Sequence, residues 1–319
     1  MTSRRVAFID IGTNTLLCLI AELQNDGGFH VLEDFAEITR LGQGVQRTGR
    51  ISPDGEERSL EVLRHYLERC HYLDVQEIRA VGTSALRDAQ NSDEVRARFK
   101  QELGFDVRVI SGDQEATYSF LAVQQGLRLD RQELLVIDVG GGSTEFIRGS
   151  ESGISQAVSI NIGYVRLTEQ FLHSDPVRKE ECEKMAAAVE RELAALPRQW
   201  LKDSSILHLV GIAGTFTTLS AVEKKLARYS HSEVHGSLLT LSEVRQQVAL
   251  FQAKTIAERK AIPGLEPKRA DVILAGVYLI ERIMTLFDSE SVIVSDQGVR
   301  YGLLHECLKH RNKSVDIFS

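Results

Sequence analysis

Residues 6–24 read VAFIDIGTNTLLCLIAELQ. Val6 to Ile9 form a short apolar run, and Asp10-Ile-Gly-Thr-Asn-Thr15 supplies turn chemistry. Leu16 to Leu23 are a second apolar run, so the stretch is expected to be a strand, a tight polar turn and a returning strand. A helix fits worse, because glycine and two threonines interrupt it. The pattern returns with Asp138 placed 128 residues after Asp10: residues 134–147 read LLVIDVGGGSTEFI. Apolar strand, Asp, glycine turn, hydroxyl and strand follow in the same order, which implies an internal duplication in which each copy opens one domain.

A third glycine turn, Gly211-Ile-Ala-Gly214-Thr215-Phe-Thr217-Thr218, follows the apolar run Ile206 to Val210. Amphipathic stretches predict helices over Ser59 to Leu73, over Pro176 to Leu196 with Asp175 as its cap, and over Asp271 to Phe287. The last apolar strand, Ser291 to Ser295, leads through Asp296-Gln-Gly298 into a terminal helix from Val299 to about His310. Strands alternating with helices make an α/β protein. A boundary is expected near Leu121 to Asp130, where Gln124 to Asp130 reads as polar and turn-like. The domains are then 1–124, joined by a returning helix at 299–319, and 125–298.

The chain's 319 residues suit two domains of roughly 150 residues each. With 43% apolar and 26% charged residues it is expected to be packed and soluble. A net charge of −7 argues against a surface that wraps nucleic acid. Cys18, Cys70, Cys182 and Cys307 form no C-x-x-C pair and read as free thiols in a reducing cytoplasm. No run approaches the ~20 apolar residues of a membrane span, and the start is unlike a signal peptide.

Two Asp-plus-glycine turns suit a phosphate, since glycine lets backbone N–H groups approach an anion closely. Thr13, Thr15, Ser143 and Thr144 add donors, and Asp10 and Asp138 are placed to hold a divalent cation. The plainer alternative is two ordinary hairpin turns. No P-loop run exists, and Gly42-Gln-Gly44 lacks the rest of a dinucleotide fingerprint. Ser111 and Gln114 form a capping-box pattern that opens a helix and puts Glu115 in its first turn. Glu115 is there either to complement the helix dipole or to act as a general base, and Glu145 is a second candidate carboxylate. Arg87, after Val81-Gly-Thr-Ser-Ala-Leu86, is either a phosphate ligand or a solvated arginine. Lys224-Lys225 and Lys268-Arg269 read as solvated faces, His305 and His310 as a polar helix face, and His231-Ser-Glu-Val-His235 as a surface loop.

Eight stretches in order then carry a family resemblance: FIDIGTNT (8–15), AVGTSALRDA (80–89), VISGDQEA (109–116), LVIDVGGGSTE (135–145), NIGYVRLTEQF (161–171), GIAGTFTTL (211–219), EPKRADVILAG (266–276) and SDQGVRYGLL (295–304). The chain resembles the exopolyphosphatase and guanosine pentaphosphate phosphohydrolase (Ppx/GppA) family, in its short two-domain form, within the acetate kinase, sugar kinase, Hsp70 and actin superfamily. The resemblance implies two ribonuclease-H-like (actin-like ATPase) domains on either side of a cleft, each a mixed five-stranded sheet with helices, the final helix returning to the first. It implies phosphate loops at Asp10, Gly12, Thr13, Asn14 and Thr15 and at Asp138, Gly140, Gly141, Gly142 and Ser143. Gly214 and Thr215 fall in the third loop, where relatives hold adenosine. The resemblance further implies Glu115 as base, Glu145 as a needed carboxylate, Arg87 as a phosphate ligand, and Mg²⁺ near Asp10 and Asp138. The implied substrate is inorganic polyphosphate or pppGpp, in a cytoplasmic hydrolase acting on phosphoric anhydrides. The other readings are a non-catalytic sensor of (p)ppGpp or polyphosphate and a nucleotide-driven kinase or chaperone. A homodimer is common among relatives.

Overall fold

The computed structural model describes residues 4–127, 129, 133–202 and 206–315. The chain divides into two compact units, one formed by the residues up to Ala122 and from Val299 on, the other by Val123–Gly298.

The first unit holds a five-stranded sheet of β1 (Arg4–Ile11), β2 (Thr15–Leu23), β3 (Phe29–Ile38), β4 (Glu77–Gly82) and β5 (Val107–Val109), in the order β3-β2-β1-β4-β5. β1 runs antiparallel to β2 and parallel to β4. Successive side chains of a strand point to opposite faces, and β1 is apolar on both. Ala7, Ile9 and Ile11 join a core that includes Leu60, Leu63 and Tyr66 of the helix Pro53–Tyr72. Val6 and Phe8 join a second core with Tyr118, Ala122, Val299, Leu303, Leu304 and Cys307. The terminal helix Val299–Val315 therefore covers one face of the first sheet. It is pinned there by Arg300, which donates to both oxygens of Asp34 on β3 at 2.8 and 3.0 Å, and by the Tyr301 hydroxyl on the same carboxylate at 3.0 Å.

The second unit holds β6 (Glu133–Val139), β7 (Thr144–Ser150), β8 (Gly153–Ile160), β9 (Ile206–Ile212), β10 (Leu238–Thr240) and β11 (Ser291–Val294), in the order β10-β11-β9-β6-β7-β8. The run β8-β7-β6-β9-β11 repeats β3-β2-β1-β4-β5 strand for strand, with the same antiparallel and parallel partners for the central strand. This is the duplication that the two glycine turns announce. The helix Ile273–Leu286 is apolar around most of its circumference, and it is correspondingly buried in the core of this unit.

Several sequence expectations need correction. The second sheet has six strands, because β10 adds antiparallel to β11 through Leu238↔Ile293. The first long helix begins at Pro53, where the Ser52 hydroxyl accepts from the Gly55 N–H. Gln124 is still helical, since Gly112–Gly126 continues past the buried Ala122 and Val123; residues 128 and 130 of the expected turn lie outside the described residues. Asp175 does not cap the helix that follows it. That helix is Lys179–Leu193, capped at Arg178 through Glu181, while Asp175 accepts from the Ile256 N–H at 2.8 Å. The Ser174 hydroxyl, then the Arg178 and His173 N–H groups, hold the Glu181 carboxyl down at about 2.

His305 is not a polar surface group. Its ring packs edge-on against Phe29 at 5.7 Å, and burial, with Lys309 adding to it, lowers its pKa to about 4. An unfolded His titrates near 6.5, so between about 6.5 and 4 the unfolded chain binds the extra proton. The stability contributed by neutral His305 is complete above that window and is lost as pH falls through it. Discounted for partial exposure, the loss amounts to roughly 1–2 kcal/mol. Melting temperature measured from pH 7 to 4 is expected to fall less steeply in His305→Phe than in the wild type. Equal slopes would refute the assignment.

Candidate active site

In the first unit the ends of three strands gather the expected residues. The parallel register sets Asp10 beside Val81 and Gly82 beside Val109, so β1, β4 and β5 end together. The loop after β1 is closed by Gly12 N–H donating to Thr15 O at 3.1 Å. A Cβ on Gly12 would stand 2.8 Å from that same oxygen, so the turn needs glycine for close approach. The Asn14 carbonyl accepts from the Thr39 and Arg40 N–H groups, and Gly42 N–H donates to Thr13 O at 2.8 Å. The loop is thus held from outside by backbone. Asn14 is 3% exposed, and its Nδ2 has no acceptor among the described residues. A buried donor left over in a glycine turn is what a loop built for an anion would show.

Arg87 lies in the short helix Ser84–Asp88 after β4, and Glu115 in the first turn of Gly112–Gly126 after β5. Arg87 Nη1 donates to Glu115 Oε2 at 2.9 Å and to the Ile110 carbonyl at 3.1 Å. The expected capping box is formed: Gln114 N–H donates to Ser111 Oγ at 3.2 Å, and Ser111 N–H to Gln114 Oε1 at 3.1 Å. The helix start is satisfied without Glu115, which is 8% exposed and held by arginine. Arg87 is therefore not the solvated arginine of the plainer reading.

The second unit repeats the hairpin with one chemical change. Gly140 N–H donates to Ser143 O at 3.0 Å, as Gly12 does to Thr15. The residue facing Asp10 across its hairpin is Leu17, whereas the residue facing Asp138 is Glu145. Directly opposed residues project on the same face, and two carboxylates so placed repel. Asp138 is 8% exposed and Glu145 1%, and the Ser159 hydroxyl donates to Glu145 Oε1 at 2.8 Å. Paired buried carboxyl oxygens are a donor set that fits a hard divalent cation such as Mg²⁺. On the far side of the loop Tyr164 and Val165 N–H donate to the carbonyls of Gly140 and Gly141, and Arg166 Nε to Gly142 O at 2.5 Å.

The third glycine turn is the start of a helix, Ala213–Glu223, directly after β9. Parallel pairing brings its first residues beside Asp138 through Asp138↔Ile212. Thr215 is 2% exposed, and the Thr218 hydroxyl donates to Gly214 O at 2.6 Å. The Arg269 guanidinium lies so close that a Cβ on Gly214 would stand 2.2 Å from Nη2. Arg269, read from sequence as surface, is 9% exposed. Arg166, Gly163 and Arg269 are the residues that reasoning from composition missed; their only signal was membership of the NIGYVRLTEQF and EPKRADVILAG stretches.

Residues 19–311 match the model of the Ppx/GppA phosphatase family. The chain belongs to this family. The Ppx/GppA match includes the second glycine loop, while the first lies just ahead of it. Exopolyphosphatase 2 of Mycobacterium tuberculosis is 34% identical over 299 residues, covering 89% of this chain and 91% of that protein. A bifunctional 3-dehydroquinate synthase/phosphatase of Fusobacterium nucleatum is 34% identical over 315 residues; the match takes in 96% of this chain but 47% of that protein, so the chain spans about half of that relative's length. The crystal structure of the Aquifex aeolicus Ppx/GppA family member superposes with a TM-score of 0.81 at 35% identity, over 98% of this chain and 99% of that one. Among the described residues no helix is long and apolar enough to cross a membrane.

Proposed function

We propose that this Ppx/GppA phosphatase is an exopolyphosphatase that releases orthophosphate from the ends of inorganic polyphosphate. The observation that carries this reading is Glu115, a nearly buried carboxylate oriented by Arg87 in a helix start that Ser111 and Gln114 already cap. Glu115 takes a proton from the attacking water, whose oxygen bonds to the terminal phosphorus. The bridging P–O bond breaks and its electron pair leaves with the shortened chain. In the first unit Arg87 meets phosphate oxygens as well as Glu115, and the N–H groups of the Gly12–Thr15 loop with the Thr15 hydroxyl stabilise charge on phosphoryl oxygens; in the second unit the Gly140–Ser143 loop and the Ser143 hydroxyl are built to bind phosphate in the same way. In the second unit Asp138 and Glu145 offer paired oxygens suited to Mg²⁺, which when bound would offset the negative charge of a phosphate chain, and in the first unit Asp10 offers a carboxylate of the same kind at the end of β1. Gly214 and Thr215, at the N-terminal end of a helix, extend the phosphate contacts.

The name of the Mycobacterium tuberculosis relative supports polyphosphate as the substrate. Removal of the 5′ phosphate from pppGpp is the second reading, since the same groups would serve any terminal phosphoanhydride. The test is orthophosphate release in Mg²⁺ from short polyphosphate, long polyphosphate and pppGpp side by side. Release from polyphosphate is the expected result. Release from pppGpp alone would move the assignment to alarmone metabolism, and binding without release from any of the three would make the protein a sensor.

A further inference from the structure

His231 and His235, read from sequence as belonging to a surface loop, stand on and just after a helical turn, His231–Val234. Their rings stack at 5.0 Å and 16°, and both Nδ1 atoms face one carboxylate. His231 Nδ1 is 2.7 Å from Asp296 Oδ2, and His235 Nδ1 is 3.2 Å from Asp296 Oδ1. Backbone pairing places these groups: Gly236 N–H donates to Val294 O and Val294 N–H to Ser237 O, each at 2.8 Å, just before Asp296. The Tyr229 hydroxyl also donates to Asp296 Oδ2, at 2.9 Å.

We propose that His231, His235 and Asp296 form a binding site for a borderline-soft divalent transition metal of the Zn²⁺ class, separate from the carboxylate groups assigned to Mg²⁺. One ligand atom from each residue lies within 4.8 Å of the others, a spread that small side-chain movements close onto one ion. Two imidazole nitrogens and one carboxylate oxygen suit zinc and its late first-row neighbours and suit magnesium poorly. The tautomer agrees. His235 Nε2 faces the Gly126 carbonyl at 3.4 Å, an acceptor for a proton on that nitrogen, which would leave the Nδ1 lone pair for an ion held between the ring and the carboxylate. A metal-ligating histidine commonly donates its other ring N–H to a backbone carbonyl in this way. His231 is about half exposed (52%), so an ion can enter, whereas Asp296 at 7% is fixed. An ion there would clip Asp296, two residues past β11, to the segment before β10.

The test uses the full chain with Mg²⁺ in large excess, so that hard-cation sites are filled and phosphate release is not the readout. Co²⁺ is expected to bind with one equivalent, to give visible absorption bands of a nitrogen-ligated site, and to be displaced by Zn²⁺. Zn²⁺ is expected to raise the melting temperature of the wild type. In His231→Ala, whose exposed ring contributes little to folding, the affinity is expected to fall at least ~100-fold and the Zn²⁺ shift to vanish, with melting in the absence of Zn²⁺ near that of the wild type. His235→Ala and Asp296→Asn are expected to lose binding in the same way. A wild type that takes up no Co²⁺ or Zn²⁺, or a His231→Ala variant that binds as well, would overturn the site and leave a proton-bridged His–Asp cluster. Failure of the polyphosphate assay would not bear on either result.

Discussion

Glu115→Gln is expected to lower kcat for phosphate release by roughly 10²–10⁴-fold while substrate still binds. Glutamine keeps the size of the side chain and an oxygen for Arg87 Nη1 to donate to, so the 2.9 Å contact and the helix start survive. What it cannot do is accept the water proton. The alternative role for a carboxylate in a first helical turn is dipole complementarity, worth about 0.3–1 kcal/mol of stability and nothing in turnover. The two roles therefore differ in where the loss falls. Single-turnover phosphate release together with a binding isotherm decides between them. A variant that turns over at the wild-type rate and melts slightly lower would remove Glu115 from the reaction.

Gly163→Ala is the second large effect, and it acts through packing alone. Gly163 has φ −149°, open to any residue, so backbone freedom is not the reason for glycine there. A Cβ would stand 2.4 Å from Gly141 O and 2.6 Å from Gly140 O, and both are backbone atoms of the second loop. Neither can rotate away as a side chain does. The alanine must push the loop off the start of the helix Tyr164–Phe171 or break the N–H contacts of Tyr164 and Val165. Overpacking of this kind costs about 2–3 kcal/mol, equivalent to a melting temperature roughly 4–8 °C lower. Phosphate release should fall with it, because the loop that moves is the one assigned to the phosphoryl oxygens. Gly298→Ala is the control: a Cβ there meets nothing within 4 Å, and both properties should stay near wild type. Equal behaviour of the two variants would refute the packing account.

The two hairpins were readable because everything they need is local. Apolar runs, an Asp and a glycine turn lie within about twenty residues, and the capping box at Ser111 and Gln114 spans only four. What local pattern could not supply was competition from distant groups. Asp175 looks like a helix cap until Ile256, far along the chain, takes its carboxylate and Glu181 satisfies the Arg178 N–H instead. His231 and His235 look like loop residues until Asp296 arrives from beyond β11. Arg269 reads as surface charge because nothing nearby in sequence marks Gly214 as the place its guanidinium lies against. The pairing of Asp138 with Glu145 was within reach: a hairpin closed at Val139↔Thr144 forces it.

The terminal helix gives the protein an order of assembly. Arg300 and Tyr301 lock onto Asp34, and Leu303, Leu304 and Cys307 seal the sheet face that carries Phe8 and Leu19. On the ribosome, β1 and β2 emerge ahead of Val123–Gly298, and the terminal helix can join that face only after all of those residues have been made, roughly ten to thirty seconds at elongation rates of about 5–20 residues per second. Through that interval the nascent first unit has only part of that face's cover, Tyr118 and Ala122 of the helix Gly112–Gly126, while the second unit has all its strands in one continuous stretch of chain. The first unit therefore cannot complete its core until the second has been translated.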